Sequence, residues 1–340
     1  MKKLFLMLAA AAAVASCSKD YTIVADNGEA IEFGSFVENS TRADAATDPS
    51  YSTTGNGTAL TQFNVYGAVG GVNIFNGNTV TKGETAYGEA WTLDGTKQYW
   101  INGADYEFVA VVDGNKSVTV DETTTVITKT TLFESNGIPN FITYKSDGAT
   151  DLLCARVVRN NNTNTNVVAF KFTHLLSKVK FSVTNTTDED ATNYRIVLTE
   201  AKITGALANS TYVVSTGSWN NDTNPTTKDF TLENLTINSA ATEYHPTELL
   251  LLPGVNVGVT VKAKVEATTN GTTWKEVSTM EKTFTNVLGA DKTLVANSAY
   301  HFAVTLGIGT EIKFTATTMP EWVNGNTNDT DGDNDSVVLQ

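Results

Sequence analysis

The chain has 340 residues, 37 acidic against 23 basic side chains and a formal net charge of −14. A sequence pI near 4.6 argues against nucleic acid as a partner, because no basic stripe is present to neutralise phosphates, and against electrostatic attachment to anionic lipid. At about 100–200 residues per domain, the length predicts two domains. The sequence is rich in Thr and Asn and only 18% of its residues are charged, a composition that favours strands and turns over helices.

The N-terminus has the features of a secretory signal peptide over residues 1–16. Lys2 and Lys3 precede an apolar run, Leu4–Ala15, that is too short to span a bilayer but suits the core of an export signal. The run ends in small residues before Cys17, as in the lipobox of bacterial lipoproteins. We therefore predict that Cys17 is lipidated and that its acyl chains anchor the precursor. An ordinary signal peptide with an incidental cysteine is the alternative.

The rest of the chain is patterned as short strands separated by turns. Apolar residues recur at period two or in short runs, as in Phe63–Tyr66 and Tyr106–Val112, and no long window has a helical period. A polar break at Thr184–Asn193 provides the best domain boundary. The pattern predicts an all-β protein with two antiparallel β-sandwiches, at residues 43–184 and 185–322.

No motif for catalysis or metal binding is present in the sequence. His174, His245 and His301 are far apart and share no motif, and lipidation of Cys17 would leave Cys154 as the sole thiol, so no disulfide is expected. Residues 329–335 have the alternating carboxylates of a calcium loop but lack the glycine and the final glutamate, and a solvated acidic linker is the simpler interpretation. We predict that the protein is not an enzyme and has no cofactor and no metal site.

A strand-like segment precedes the first predicted sandwich. Ile31 and Phe33 alternate with polar residues, and a small polar stretch containing Arg42 follows. An exposed bond between Arg42 and Ala43 is a natural target for a trypsin-like protease. We therefore predict that residues 17–42 form a propeptide with a removable N-terminal strand.

The C-terminal segment, residues 323–340, is an acidic linker that ends in the β-prone residues Val337, Val338 and Leu339. An N-terminal strand that can be removed by cleavage and a C-terminal strand without a predicted partner together indicate strand pairing between molecules. A sheet edge that has lost its strand exposes unpaired backbone groups and an apolar groove, and a donor strand from the next subunit satisfies both. Head-to-tail pairing that does not close produces a filament.

Several motifs, in order along almost the whole chain, resemble the fimbrillin family, the lipoprotein precursors of type V pili in Bacteroidota. The motifs are the lipobox at Cys17, Ile31-Glu32-Phe33, Thr41-Arg42-Ala43, Tyr99-Trp100, Tyr106-Glu107-Phe108, Asp151-Leu152-Leu153, the stretch from Phe170 to Phe181, Leu250-Leu251-Leu252-Pro253, Asn297-Ser298-Ala299-Tyr300-His301-Phe302, Ile312-Lys313-Phe314 and Glu321-Trp322.

The resemblance implies a fold and an assembly mechanism. The fold would be two tandem β-sandwiches of the Greek-key, transthyretin-like type. The precursor would be lipidated, carried to the outer membrane and cut after Arg42 by an arginine-specific protease there. Loss of residues 17–42 would open a groove in the N-terminal sandwich, which part of residues 323–340 of a neighbouring pilin subunit would fill.

Two other functions remain open at this stage. The first is a monomeric outer-membrane lipoprotein that binds glycan or a host protein, with a mature chain that begins at Cys17 rather than near Ala43. The second is a tip or adhesin subunit whose own tail is not donated.

Overall fold

The structure is a computed structural model in which all regular elements are strands. It describes residues 29–37, 60–83, 91–112, 127–130, 137–163, 165–187, 193–232, 235–237, 242–244, 247–319 and 337–338. Within these ranges there is no helix, so the predicted all-β class is confirmed. Runs of β-branched and aromatic residues, separated by Gly, Asn and Asp turns, account for the absence of helical crossovers.

The described residues form 22 strands, which are numbered here in chain order. The first eleven are β1 (Phe33–Val37), β2 (Gln62–Val69), β3 (Val72–Lys82), β4 (Trp91–Leu93), β5 (Ala104–Val112), β6 (Ile127–Thr130), β7 (Phe141–Lys145), β8 (Leu153–Asn162), β9 (Val168–His174), β10 (Ser177–Asn185) and β11 (Tyr194–Leu207). The others are β12 (Asn209–Val213), β13 (Ser218–Asn220), β14 (Thr227–Leu232), β15 (Leu235–Ile237), β16 (Thr242–Tyr244), β17 (Leu249–Leu251), β18 (Gly258–Ala267), β19 (Lys275–Phe284), β20 (Ser298–Leu306), β21 (Lys313–Met319) and β22 (Val337–Val338).

The first sheet has seven strands in the order β1-β9-β8-β5-β2-β3-β4. All its neighbouring strands are antiparallel except β1 and β9, which are parallel. One face of the sheet carries an aromatic core that includes Phe63, Phe75, Phe108 and Phe170. The two edge strands, β1 and β4, lie close to each other, so the sheet curls around this core.

Two further sheets pack face to face as a sandwich. One has the order β16-β10-β20-β21-β22, with β17 also paired to β10, and the other has the order β14-β11-β18-β19, with β15 also paired to β11. Their shared core contains Phe181 and Phe302 from the first of these sheets and Leu198 and Val261 from the second. This arrangement agrees with the predicted β-sandwich architecture.

The fourth sheet, with the order β13-β12-β7-β6, lies over the remaining face of the first sheet. A third apolar cluster joins them, and it contains Val109 and Val111 of β5 together with Ile142 and Tyr144 of β7. Both faces of β5 are therefore buried, which explains why its sequence is an uninterrupted apolar run from Phe108 rather than an alternating one.

The strands around the aromatic core and those around the sandwich core are not separated at residue 184, the domain boundary predicted from the sequence. β10 lies almost entirely before the predicted boundary and yet belongs to the second core, parallel to β20. β12 and β13 follow it and yet join β7, beside the first sheet. The polar stretch around residue 184 connects β10 to β11 within the second sandwich, because a polar composition suits an inter-strand loop as well as a linker.

Candidate assembly site around the N-terminal strand

The N-terminal segment, defined here as residues 29–37, pairs with two separate parts of the chain. At its start the Ile31 amide donates to the Gln98 carbonyl over 2.8 Å, and the Trp100 amide donates to the Glu29 carbonyl over 3.1 Å. These bonds flank a bridge between Ala30 and Tyr99. Residues 98–100 follow β4, so this pairing ties the segment to one edge of the first sheet.

The second half of the N-terminal segment is β1, which joins the opposite edge of the same sheet. Its register with β9 runs from Phe33 opposite Val168 to Val37 opposite Phe172. The Val168 amide also donates to the Glu32 carbonyl over 2.8 Å. The segment therefore spans from one edge of the curled sheet to the other and closes it.

The alternating side chains of the segment are buried as the sequence pattern requires. Ile31 is 3% exposed and Phe33 is 5% exposed, and both belong to the aromatic core of the first sheet. Glu32 between them points to solvent. Ile31 and Phe33, the two residues predicted to form a removable strand, thus lie on the same face of the segment. Both side chains point into the protein core.

Phe33 sits in a socket of three aromatic rings, called here the Phe33 socket: Phe75, Phe108 and Phe170. Their ring centres lie 5.2, 5.9 and 5.8 Å from that of Phe33, with the first two rings edge-on and the third stacked. Burial of a phenylalanine contributes about 1.5–3 kcal/mol, and each aromatic pair adds about 0.5–1.5 kcal/mol. Phe33 is therefore a strong anchor of the segment.

Gly67 of β2 sets the depth of the Phe33 socket. A Cβ atom at this position would lie 2.8 Å from ring atoms of both Phe75 and Phe108. Only a residue without a side chain lets these two rings approach β2 so closely. The shape of the socket thus requires glycine at position 67 because there is no room for a side chain, and not because of the backbone conformation.

A cavity of about 180 Å³ adjoins the start of the N-terminal segment and is called here the Trp100 cavity. It is lined by Glu29, Trp100, Ile101, Asn102, Asn162, Thr163 and Thr165. The indole Nε1 of Trp100 is buried and has no hydrogen-bond partner among the described residues. Such an orphaned donor costs about 1–3 kcal/mol.

The Trp100 ring is held by two neighbouring side chains. The guanidinium of Arg159 lies over the ring, with Cζ 5.0 Å from the ring centre, and Tyr106 packs against it edge-on at 4.9 Å. Burial lowers the pKa of Arg159 from its usual value, but the group stays cationic at neutral pH. The cavity is therefore next to a fixed positive charge.

Two of the predicted donor residues lie at the edge of a sheet of the second sandwich. Val337 and Val338 form β22, which pairs with Thr318 and Thr317 of β21 at the edge of its sheet. The two described residues of the tail thus pair within their own chain.

Several predicted features lie outside the described residues, namely Cys17, Arg42, Ala43 and Leu339, together with the signal peptide at 1–16, most of residues 323–340 and His245. The sequence analysis assigned no role to Trp100 or to the rings of the Phe33 socket. The period-two alternation of aromatic residues along β5 and β9 is the signal that could have placed those rings on the face shared with Phe33.

The other histidines have local partners. His174 Nδ1 lies 2.8 Å from the Asp151 carboxylate, and both side chains are buried. His301 Nε2 lies 2.7 Å from the Ser182 hydroxyl on the neighbouring strand. Within the described ranges, no three His, Cys, Asp or Glu side chains come together as metal ligands would. No segment there forms a helix suited to crossing a bilayer.

A family model described as fimbrillin-like matches residues 41–322. None of the curated proteins matches the sequence significantly. Among solved structures, a fimbrial protein from Bacteroides vulgatus is 14% identical with a TM-score of 0.55, over 86% of this chain and 99% of that one. A candidate cell adhesion protein from Bacteroides uniformis is 18% identical with a TM-score of 0.52, over 86% and 98%. At these identities the two structures support the fold alone.

Proposed function

This chain belongs to the fimbrillin-like family, and on that premise we propose that it is a structural subunit of an adhesive surface pilus. The resemblance drawn from the sequence motifs is thereby confirmed. Membership supports a pilus or adhesin subunit at the cell surface, which is a structural rather than an enzymatic kind of protein. The proposal adds export as a lipoprotein through Cys17, cleavage after Arg42 and polymerisation by donor-strand exchange.

The observation that carries this proposal is the position of the N-terminal segment. Residues 29–37 precede Arg42, close the first sheet and place Phe33 in its aromatic socket. Cleavage after Arg42 followed by loss of the segment would expose two sheet edges and an apolar slot at once. Such an open edge is a template for a strand from another molecule.

The energetics favour replacement of the lost segment by an equivalent strand. Each backbone hydrogen bond that a donated strand restores contributes about 1 kcal/mol net, and apolar burial adds about 25 cal/mol per Å². The donor would be the tail, residues 323–340, of the neighbouring subunit. Val337 and Val338 would first leave β21, where they pair with Thr318 and Thr317.

Replacement of Arg42 by Ala is the experiment that tests the cleavage step. The full precursor is treated with an arginine-specific protease, its new N-terminus is sequenced and polymers are detected on native gels and by electron microscopy. We expect the wild type to begin at Ala43 and to polymerise, and the Arg42→Ala variant to keep its N-terminal segment and stay monomeric.

Arg42→Lys is the matched control, because it keeps the charge and the length of the side chain. An arginine-specific protease should leave this variant uncut and monomeric, whereas trypsin should cut it and restore assembly. Normal polymers from uncut Arg42→Ala protein would contradict the proposed activation step. A surface protein that begins at lipidated Cys17 and remains monomeric would instead support the surface lipoprotein.

A tip subunit is the second candidate, favoured by the pairing of β22 with β21 in the same chain. A tail that stays on its own sheet donates nothing, and such a subunit would accept a strand but end the fibre. Immunogold labelling of assembled pili separates the two roles, since a shaft subunit labels the whole fibre and a tip subunit labels one end.

A further inference from the structure

The N-terminal segment and the tail share a sequence pattern at one spacing. Residues 29–33 read Glu-Ala-Ile-Glu-Phe, and residues 335–339 read Asp-Ser-Val-Val-Leu. Each has an acidic residue, a small residue, and two larger apolar residues at positions three and five. In a strand, positions one, three and five lie on the same face. In strand conformation, each stretch would therefore present a carboxylate and two apolar side chains to one side.

Glu29, the first residue of the pattern, has defined neighbours in the structure. Glu29 and Trp100 both line the Trp100 cavity, and the guanidinium of Arg159 lies over the Trp100 ring. A carboxylate at this cavity is favoured by the nearby positive charge. Removal of the N-terminal segment would take Glu29 away and leave the cavity without its carboxylate.

Resting on the proposed function, we infer that the tail of a second copy replaces residues 29–33 in register and in the same chain direction. Asp335 takes the place of Glu29 at the Trp100 cavity, Val337 takes that of Ile31, and Leu339 takes that of Phe33 in the aromatic socket. Ser336 then stands where Ala30 stood, opposite Tyr99. The acidic end of the tail is thereby a recognition element rather than a spacer.

The register also explains the chemistry of neighbouring positions. The tail is acidic at Asp329, Asp331, Asp333 and Asp335, but only the last of these reaches the cavity. Leu339 is smaller than Phe33 and fits a socket built for a larger ring. The next residue, Gln340, takes the position of Gly34, where a Cβ atom would approach Val167 Cγ1 to 3.3 Å, and this exposed valine has room to move.

Cysteine pairs test the register directly. Ala30 and Tyr99 form a pair whose flanking residues carry the hydrogen bonds, an arrangement with Cα atoms about 4.5 Å apart, within the range of a disulfide. Tyr99 is 53% exposed, so it tolerates replacement. In the uncut precursor, Ala30→Cys with Tyr99→Cys should form an intrachain disulfide, which verifies that the variant folds.

A cysteine pair formed between two subunits tests the register itself. The full precursor with Ser336→Cys and Tyr99→Cys is cut with an arginine-specific protease, allowed to polymerise and oxidised. We expect a ladder of covalently linked subunits on non-reducing gels. Asn334→Cys with Tyr99→Cys, two residues out of register, is the control and should give no ladder. Cys154 is buried and Cys17 leaves with the N-terminal segment, so neither should interfere.

The outcomes separate this inference from the function on which it rests. Polymers that crosslink through residue 334 in place of residue 336, or through neither, overturn the register and leave donor-strand exchange standing. Wild-type chains that are fully cut after Arg42 and do not polymerise overturn the proposed function and the register with it.

The role of the acidic side chain has its own test in the same assay. Asp335→Asn should slow polymerisation several-fold at low salt, whereas Asp333→Asn, the same charge change two residues earlier, should leave the rate near that of the wild type. Equal rates for the two variants would overturn the assignment of Asp335 to the Trp100 cavity.

Discussion

Single side chains decide how firmly the N-terminal segment is held. Phe33 has three aromatic neighbours within 6 Å of its ring centre, and Ile31 is buried beside it. The intervening side chain, that of Glu32, is exposed. Among the described side chains of the segment, Ile31 and Phe33 thus hold it in the core, and backbone hydrogen bonds add to this hold.

Truncation of Phe33 tests this hold. Phe33→Ala leaves a cavity in the socket and should lower the free energy of unfolding of the precursor by about 3–5 kcal/mol. Urea denaturation followed by circular dichroism measures the change. Glu32→Ala, in the same strand with its side chain in solvent, is the control and should shift the unfolding free energy by less than about 0.5 kcal/mol. Similar losses for both variants would show that the socket is not the anchor.

His301 should make stability depend on pH in mildly acidic solution. Burial, and to a lesser degree Lys180 opposite it on β10, lowers the pKa of His301 below its usual value of about 6.5. The unfolded chain therefore takes up a proton before the folded chain does. This contribution to stability is complete above about pH 6.5 and is lost as the pH falls through the lower folded-state pKa.

Two variants separate this effect from other titrations. His301→Gln keeps a partner for the Ser182 hydroxyl and should flatten the fall in the unfolding free energy between about pH 7 and 5. Lys180→Met should flatten it in part. Denaturation curves at several pH values measure both slopes. A slope unchanged in His301→Gln would mean that other groups control the acid response.

At the scale of strands, the sequence predicted local structure better than pairing. The alternation of Ile31 with Phe33 and the apolar run in β5 each become strands because period and composition act within a few residues. The parallel pairing of β1 with β9 joins residues far apart in the chain, and no local pattern specifies it.

The position of β10 in the second sandwich and the Trp100 cavity also depend on contacts between distant parts of the chain, which local sequence patterns do not specify. The polar residues after β10 were interpreted as a linker, although the strand lies between β20 and β17 in the second sandwich. The burial of the indole N–H of Trp100 without a partner among the described residues depends on tertiary packing, so it could not be predicted from spacing.

The tail strand should matter for assembly and little for the folded precursor. β22 pairs with β21 through two residues, so Val337→Ser with Leu339→Ser should change the unfolding free energy of the precursor by less than about 1 kcal/mol and abolish polymers. Val338→Ser, on the opposite face of the strand, is the control and should still polymerise. Native gels after cleavage measure assembly, and equal defects in both variants would contradict the proposed facing of the strand.

At the scale of the molecule, the three apolar clusters do not depend equally on the N-terminal segment. Ile31 and Phe33 of the segment belong to the aromatic core of the first sheet, and neither is part of the sandwich core or of the cluster between the first and fourth sheets. Its loss should therefore open one region and leave the rest folded. A subunit of this kind can be stored closed and become reactive without unfolding.

Hydrogen exchange at two amides tests this account most directly. The amides of Trp100 and Val168 donate to carbonyls of the N-terminal segment, one at each edge of the first sheet. We predict slow exchange at both in the precursor, fast exchange after cleavage at Arg42 and release of the segment, and slow exchange again in the polymer. Amides between β11 and β18 should stay slow throughout. Exchange at Trp100 and Val168 that stays slow after the segment is released, or fast in the polymer, would contradict the account.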